Sequence, residues 1–243
     1  MNRRDIIKSA GILSAAPFLS TDLSAGNKDN KMRILIAGAH PDDPETGCGG
    51  TMAYLSEKGH NVTALYLTKG EAGIPGTPFD LAAEIRTNEA KEACFILNAH
   101  PVFFGQIDGD THIDWDEYKK IRKMIKELQP DIAFTQWPID THPDHRIISL
   151  LIYDAWLNLN KKFHLYYYEV MTGEQSQLFH PSEYVDITAY AEIKKKACMA
   201  HKSQKPEEWY VEVHERMSLF RGLESGCKHA EAFIRHPHQN YLV

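Results

Sequence analysis

The chain has 243 residues, of which 43% are apolar, and this is enough to build the core of one α/β domain. Its formal net charge is −6 and it has no long basic run, which argues against nucleic acid as a partner. No stretch reaches the roughly 20 apolar residues of a membrane-spanning helix, and the four cysteines are too widely spaced for a zinc knot or a disulfide framework.

The first thirty residues carry a separate pattern. Arg3 and Arg4 precede two aliphatic residues, a lysine and a weakly apolar run that ends at Leu19. This order is typical of a twin-arginine export signal followed by a cleavage region or linker. We therefore expect residues 1–30 to direct export, most simply to the periplasm, and residues 31–243 to form a single domain. If the signal is false, the protein is expected to be cytoplasmic.

Short apolar runs alternate with amphipathic segments along the rest of the chain. The pattern predicts strands over residues 32–39, 60–68, 101–104, 131–135, 163–170 and 184–187. It predicts helices over residues 51–58, 81–97, 115–128, 147–159, 189–199 and 209–222. Such alternation is typical of a Rossmann-like, three-layer α/β/α fold with a mostly parallel sheet. Ligands of these folds bind outside the carboxyl ends of the strands.

Two tracts rich in metal-ligand residues directly follow predicted strands. Residues 39–45 read Ala-His-Pro-Asp-Asp-Pro-Glu, and residues 141–146 read Thr-His-Pro-Asp-His-Arg. One His and one carboxylate of the first tract, with one His of the second, would supply the three protein ligands of a catalytic zinc site. The remaining carboxylate and His would be free for acid–base catalysis. Either tract alone is typical of a surface turn, but the pair predicts a metal-dependent hydrolase at the carboxyl ends of the strands.

The residue types within the tracts suggest roles. Pro41 disfavours a helical conformation at His40, so His40 and one of the two following aspartates can face one cation. The other aspartate could take a proton from the metal-bound water, whose pKa zinc lowers to about 7. His145 could complete the metal site, and His142 could donate to a developing oxyanion or a leaving amine. Asp144 could fix the tautomer of His142 through a carboxylate–imidazole contact.

Together these motifs resemble the LmbE/PIG-L deacetylases, a family that removes N-acetyl groups from GlcNAc-containing substrates. The similarity runs from about residue 32 to residue 233. Beyond the two His-Pro-Asp motifs it includes less specific stretches, which are Gly-Cys-Gly-Gly-Thr at 47–51, Thr-Lys-Gly-Glu-Ala-Gly at 68–73, Arg-Thr-Asn-Glu-Ala at 86–90 and Ala-Glu-Ala-Phe at 230–233.

The resemblance implies a zinc ion held by His40, Asp43 and His145. Fe²⁺ or another divalent metal remains open, since two imidazoles and a carboxylate accept several ions. The implied substrate is a small-molecule or oligosaccharide N-acetylated sugar. Relatives that form trimers or hexamers imply that this chain could form a homo-oligomer as well.

The resemblance also implies catalytic and substrate-binding residues. Asp42 would be the general base. His142 would stabilise the oxyanion and protonate the amine, with Asp144 orienting it. Contacts to the sugar are implied for three further residues, namely Arg86, Glu71 and Asp108.

Two other functions compete with a deacetylase. The first is hydrolysis, or a lyase reaction, of another amide or ester at the same metal site, because the substrate pockets lie in loops. The second is a non-catalytic sugar-binding or nucleotide-binding module. The first strand–helix turn lacks Gly-x-Gly-x-x-Gly and places carboxylates where phosphates would sit, which disfavours dinucleotides.

Overall fold

A computed structural model describes residues 31–237, so the predicted export signal in residues 1–30 lies outside the described range. The strands are β1 (Arg33–Gly38), β2 (Asn61–Tyr66), β3 (His100–Phe103), β4 (Ile132–Gln136), β5 (His164–Tyr168), β6 (Glu183–Asp186) and β7 (Ala230–Arg235). The α-helices are α1 (Asp43–Glu57), α2 (Phe79–Ile96), α3 (Trp115–Leu128), α4 (Pro143–Asn158), α5 (Ala191–Met199) and α6 (Arg216–Ser225). Within residues 31–237, no helix combines the length and the apolar character that crossing a membrane requires.

All seven strands form one sheet in the order β3-β2-β1-β4-β5-β7-β6. The five strands from β3 to β5 in this order are parallel, and β7 runs antiparallel to both of its neighbours. Parallel neighbours that are linked through helices need crossovers, which cover the faces of the sheet. The structure therefore confirms the predicted α/β fold with a mostly parallel sheet.

Hydrophobic residues are buried on both faces of the sheet, and β1 shows the alternation. Ile34 and Ile36 belong to one buried cluster, whereas Leu35 and Ala37 belong to another. The first cluster includes residues of α1, α2 and α5, and the second includes residues of α3 and α4. A sheet between two helical layers follows from these two cores.

Helix α1 begins eight residues before its predicted start. Gly47, Gly49 and Gly50, which precede the predicted helix, lie inside the observed one. The reason is packing. A Cβ atom at Gly47 would lie 2.2 Å from the ring of Tyr168, and one at Gly50 would lie 2.7 Å from Ile187. These glycines let the helix approach its neighbours, and the helix starts at Asp43 with Pro44 in its first turn.

Helix α4 also begins earlier than predicted. Pro143 occupies its first turn and His142 is its N-cap residue, so the second ligand tract forms the start of the helix and not a separate loop. Both tracts thus run into a helix N-terminus, which fixes the backbone that carries the polar side chains.

The C-terminal part of the chain differs most from the prediction. The single helix expected over 209–222 is a π-helical turn at Val211–Glu215 followed by α6. Strand β7 was not predicted, because Glu231 interrupts its apolar pattern. The structure buries Glu231, which accepts hydrogen bonds from Lys194 (2.6 Å) and from the backbone N–H groups of Gly50 (2.9 Å) and Thr51 (2.8 Å).

Candidate metal centre and active site

A cavity of about 680 Å³ lies at the carboxyl ends of the parallel strands. Each of β1 to β5 sends a following segment to its wall, represented by His40, Ala72, Asp108, His142 and Val170. This is the edge at which the sequence placed the site, because parallel strands end together there.

Asp43 lies between two imidazoles in this cavity. Its Oδ2 is 3.2 Å from Nδ1 of His40 and 3.5 Å from Nε2 of His145. Ligand atoms around a tetrahedral zinc ion, with bonds of about 2.0–2.1 Å, lie about 3.3 Å apart. The donor types and these two separations suit a divalent ion that His40, Asp43 and His145 would hold, although the ligand atoms of the three residues do not all lie within 4.8 Å of one another.

A second set of carboxylates lies on the other side of His40. Potential ligand atoms of His40, Asp108 and Asp144 lie within 4.8 Å of one another, as do those of His40, His142 and His145. His40 faces Asp43 through Nδ1, but it faces Asp108 (3.2 Å) and Asp144 (3.1 Å) through Nε2. A divalent ion between His40 and His145 would meet Nδ1 of His40, which would leave Nε2–H to the carboxylates that orient the ring.

Asp140, which no sequence motif indicated, lies behind His145, close to its Nδ1 but without the geometry of a hydrogen bond. Nδ1 of His145 lies 3.2 Å from Oδ1 of Asp140, while Nε2 of His145 faces Asp43. Asp140 is itself fixed, since it accepts hydrogen bonds from Oγ of Ser176 (3.0 Å) and from the backbone N–H of His142 (2.9 Å). A carboxylate behind an imidazole fixes the tautomer and raises the basicity of a ligating histidine. The only sequence signal was an aspartate two residues before the second motif.

These contacts make the centre strongly charged. Burial alone would lower the pKa of His40, but hydrogen bonds to Asp108, Asp144 and Asp43 hold that pKa well above its ordinary value. Burial alone would raise the pKa of Asp43, but His145 and His40 lower it instead. A buried cluster of carboxylates around imidazoles is the environment that a divalent cation would neutralise.

His142 is the N-cap residue of α4, and its ring is only half shielded. Its Nδ1 accepts a hydrogen bond from the backbone N–H of Asp144 at 3.2 Å. A neutral imidazole that accepts at Nδ1 carries its proton on Nε2. Burial and the neighbouring His40 and His145 lower the pKa of His142, which favours this neutral form.

The predicted contact between the carboxylate of Asp144 and the imidazole of His142 is not formed. The carboxylate is fully occupied elsewhere. It lies 3.1 Å from Nε2 of His40 and accepts hydrogen bonds from the N–H of Gly109 (3.0 Å) and Oγ1 of Thr111 (2.6 Å). Asp144 still orients His142, but through its backbone N–H, because capping a helix requires that geometry.

Asp42 lies beside this centre in an unusual backbone conformation. Its φ of 115° is in the left-handed region, which non-glycine residues adopt at a cost of about 1–3 kcal/mol. Burial raises the pKa of its carboxyl to about 6, although Arg86 acts in the opposite direction. The carboxyl is therefore ionised near neutral pH and still basic enough to accept a proton.

Arg86, which was predicted to contact the sugar, bonds to the protein. Its Nη2 donates to the carbonyl of Pro41 (2.6 Å) and to Oδ2 of Asp42 (3.0 Å). A Cβ atom at Gly70 or at Gly73 would come within 2.4 or 2.1 Å of its Nη1, so these glycines form a slot for the guanidinium. Arg86 is buried and also lines the cavity, and its contacts make it a positioning residue for Asp42.

The other two predicted sugar contacts have different positions. Asp108 lines the cavity and reaches His40, so substrate can approach it. Glu71 is buried outside the cavity lining, and its Oε2 accepts from the N–H groups of Lys69 (3.1 Å) and Asp108 (3.1 Å). Glu71 thus ties the loop after β2 to the loop after β3. The structure does not bring its carboxylate into the cavity.

One wall of the cavity contains no residue that the sequence analysis predicted to lie in the site. It is formed by residues that follow β5 and by the segment before α6, namely Val170, Met171, Gln175, Gln204, Trp209 and His214. None belongs to a motif, and only the topology brings them to the end of β1. Gln204 joins this wall to the opposite one, since its Nε2 donates to the carbonyl of Gly73 at 3.1 Å.

Comparisons with known proteins show which family and which solved structures the chain resembles. Residues 35–156 match the family model described as "PIG-L: GlcNAc-PI de-N-acetylase". The chain is 30% identical over 221 residues to the diacetylchitobiose deacetylase of Thermococcus kodakarensis. The alignment covers 82% of this chain and 81% of that protein. It also superposes on a conserved protein of Thermus thermophilus with a TM-score of 0.76 and 29% identity, over 87% of this chain and 97% of the other.

The same fold carries other chemistry. The 4-carboxy-2-hydroxymuconate hydratase of Pseudomonas putida superposes with a TM-score of 0.71 at 20% identity, over 87% of this chain and all of that one. The fold therefore does not decide the reaction by itself, and the residues of the site must do so.

Proposed function

The chain belongs to the PIG-L family of de-N-acetylases, and we propose that it is a metal-dependent hydrolase that removes the acetyl group from an N-acetylglucosamine-type sugar. The observation that carries the reaction is the position of Asp43 between two imidazoles, with the partly exposed carboxyl of Asp42 beside it. The substrate class is supported by the names of the matching family and of the Thermococcus relative.

His40, Asp43 and His145 would hold the metal, and we propose Zn²⁺ with Fe²⁺ as the alternative. When bound, such an ion would lower the pKa of a water molecule and polarise the acetyl carbonyl. Asp144, which hydrogen-bonds Nε2 of His40, would keep that ring in the ligating tautomer, and a small rotation of His145 would let Asp140 do the same for His145.

Asp42 would be the general base. Its pKa of about 6 leaves it ionised at neutral pH, and a base with a pKa near the working pH is the most effective. Its carboxyl cannot turn away easily, because Arg86 holds Oδ2 while also holding the preceding carbonyl. Asp42 would take the proton from the attacking water and carry it to the departing amine. The resemblance implied the second step for His142, but a neutral His142 would have to become an imidazolate to supply that proton.

His142 would supply the second polar contact of the transition state. Because Nδ1 is occupied by the N–H of Asp144, the proton lies on Nε2, the remaining nitrogen of the ring that lines the cavity. A neutral donor placed there can hydrogen-bond the developing oxyanion without first losing or gaining a proton.

Acetate release by the full-length protein tests this proposal. We expect release from N-acetylglucosamine, diacetylchitobiose or N-acetylglucosaminyl-inositol, loss of release after chelation, and recovery when Zn²⁺ or Fe²⁺ is returned. If the protein binds about one metal ion per chain but releases no acetate, the metal centre is supported and these sugars are not its substrates. Release that is indifferent to the chelator would reject the metal mechanism.

We also propose that residues 1–30 direct export of the folded protein through the twin-arginine route, on the strength of the Arg3-Arg4 pattern. A fusion of residues 1–30 to a reporter that is active only after export of the folded form tests this. The double substitution Arg3→Lys and Arg4→Lys should abolish export, and export that persists in that variant would contradict the proposal.

A further inference from the structure

His214 lies in the cavity wall that the motifs did not predict. It belongs to the π-helical turn Val211–Glu215, and it lines the same cavity as His40 and Asp43. Only 3% of the residue is exposed. Single π-helical turns are rare and occur frequently at functional sites, since they shift one side chain out of the regular helical position.

The imidazole of His214 makes no hydrogen bond with any other residue within 31–237. Its Nδ1 is buried and without a partner. Buried polar groups are nearly always paired, because an unpaired one costs about 1–3 kcal/mol. Nδ1 is shut off from solvent, so Nε2 is the nitrogen of this ring that a ligand in the cavity can reach, and within residues 31–237 no protein group competes for it.

The surroundings of His214 keep it uncharged. Burial and the nearby Lys194 lower its pKa to about 3, and Asp43 only partly opposes them. A neutral imidazole offers one N–H donor and one acceptor nitrogen. In either tautomer the nitrogen that faces the cavity can therefore hydrogen-bond a hydroxyl, which both donates and accepts.

Trp209 supplies an apolar surface next to this imidazole. The two ring centroids are 5.3 Å apart in an edge-on arrangement. The indole is fixed, because its Nε1–H donates to the carbonyl of Gln204 at 2.8 Å. An aromatic ring beside a hydrogen-bonding group is a common way to bind a sugar ring, whose C–H face is apolar and whose edge carries hydroxyls.

We propose that His214 is a specificity-determining residue of this site, and that its neutral imidazole hydrogen-bonds one hydroxyl group of the acylated amino sugar while Trp209 covers the adjacent apolar face of the ring. The inference deepens the proposed function and rests on it. It predicts that the enzyme binds a hydroxyl as well as the acetamido group of its substrate. The enzyme should therefore have a higher kcat/KM for N-acetylated sugars than for simple N-alkyl acetamides.

The test pairs two substitutions with a set of substrates. In His214→Leu, we expect kcat/KM for N-acetylglucosamine to fall about tenfold or more, whereas His214→Gln, which can still hydrogen-bond, should recover part of the loss. Each variant is then assayed with monodeoxy analogues of N-acetylglucosamine. With the wild type, one deoxy analogue should have a lower kcat/KM than N-acetylglucosamine. With His214→Leu, that analogue and N-acetylglucosamine should have the same kcat/KM, because the hydroxyl has lost its partner. The proposal would be overturned if the removal of each hydroxyl lowered kcat/KM by the same factor in the wild type and in His214→Leu.

Two controls separate binding from folding. His229 is also buried, but its Nδ1 is paired with Oγ of Ser218 at 3.0 Å and it does not line the cavity. His229→Leu should lower Tm and leave the preference among the deoxy sugars unchanged. His214→Leu should keep its metal content and should not lower Tm, because it removes an unpaired polar group. A lowered Tm with unchanged kcat/KM would make His214 purely structural.

A binding measurement distinguishes this inference from the proposed function. Calorimetry with glucosamine and N-acetylglucosamine should show weaker binding to His214→Leu than to the wild type, whether or not either protein turns the sugar over. Wild-type turnover combined with identical constants in His214→Leu would overturn the inference alone. A wild type that neither binds nor hydrolyses any of these sugars would overturn both.

Discussion

The glycine slot around Arg86 gives the sharpest test of how the site is assembled. In Gly70→Ala, the added Cβ would lie 2.4 Å from Nη1, 2.6 Å from Cζ and 2.7 Å from Cδ of Arg86. Ordinary contacts between such atoms are about 3.5 Å or longer, so the guanidinium must move by roughly 1 Å. The hydrogen bonds from Nη2 to Pro41 and to Asp42 would then break or lengthen.

A misplacement of about 1 Å can cost about 100-fold in rate, and we expect a loss of that order in kcat with little change in KM or metal content. Gly76→Ala is the matched control. Gly76 lies in the same loop with φ +75°, close to the +73° of Gly70, but its Cβ would meet nothing within 4 Å. Both variants carry a similar backbone cost of about 1–2 kcal/mol, and only one disturbs Arg86. Steady-state kinetics and metal analysis on both proteins isolate the contact.

Gly73→Ala provides an independent check. Its Cβ would lie 2.1 Å from Nη1 of Arg86, and Gly73 does not have a positive φ, so this variant adds the collision without the backbone strain. Equal kcat values for Gly70→Ala and Gly76→Ala would refute a positioning role for Arg86. A rise in KM with kcat unchanged in Gly70→Ala and Gly73→Ala would instead support the sugar contact that the sequence predicted.

Four further outcomes follow from the same geometry. Asp42→Asn should lower kcat by about 10²–10⁴-fold and leave metal content unchanged; equal loss of both would make Asp42 a ligand. Asp42→Gly should be more stable to denaturant than Asp42→Ala by about 1 kcal/mol, because only glycine adopts a φ of 115° without strain; equal stabilities would remove that strain argument. Asp140→Ala should weaken metal binding about 10–100-fold in a chelator competition, through the loss of support behind His145, and unchanged affinity would contradict that support. Phe134→Ala should lower the free energy of unfolding by about 3–5 kcal/mol, since Phe134 is fully buried and stacks on Tyr166 at 5.1 Å, and a loss below 1 kcal/mol would contradict its place in the core.

The sequence predicted elements well where local pattern and tertiary packing agree. Helix α3 occupies the predicted residues, Trp115–Leu128, because its amphipathic period, its Asp114 cap and Pro130 all point to the same boundaries. The start of α1 was missed because four small residues resemble a turn, whereas the fold uses them for close packing. The π-helical turn before α6 has no known local signature, and it depends on neighbouring elements.

The candidate site shows a similar division. Adjacent residues in one tract had to be close in space, so the proximity of His40 and Asp43 could be read from the motif, and parallel strand ends brought His145 to them. The hydrogen-bond partners of Arg86 and of Asp144 could not be predicted from the sequence. Each side chain has several charged groups within reach, and the loop conformation decides which of them it contacts. His214 was unpredictable for the same reason.

Two helix starts account for most of the polar geometry. Asp43 is the first residue of α1, where a carboxylate is favoured near the positive end of the helix dipole, and its side chain accepts the N–H of His40 at 2.7 Å. His142 caps α4 and accepts the N–H of Asp144, so the backbone fixes which of its nitrogens carries the proton. The side chains on these helix starts need little reorganisation to bind a cation on one side and a polar substrate on the other. The loops after β2 and β3 complete the site, since glycines of the first pack around Arg86, which bonds Asp42, and Asp108 of the second contacts His40.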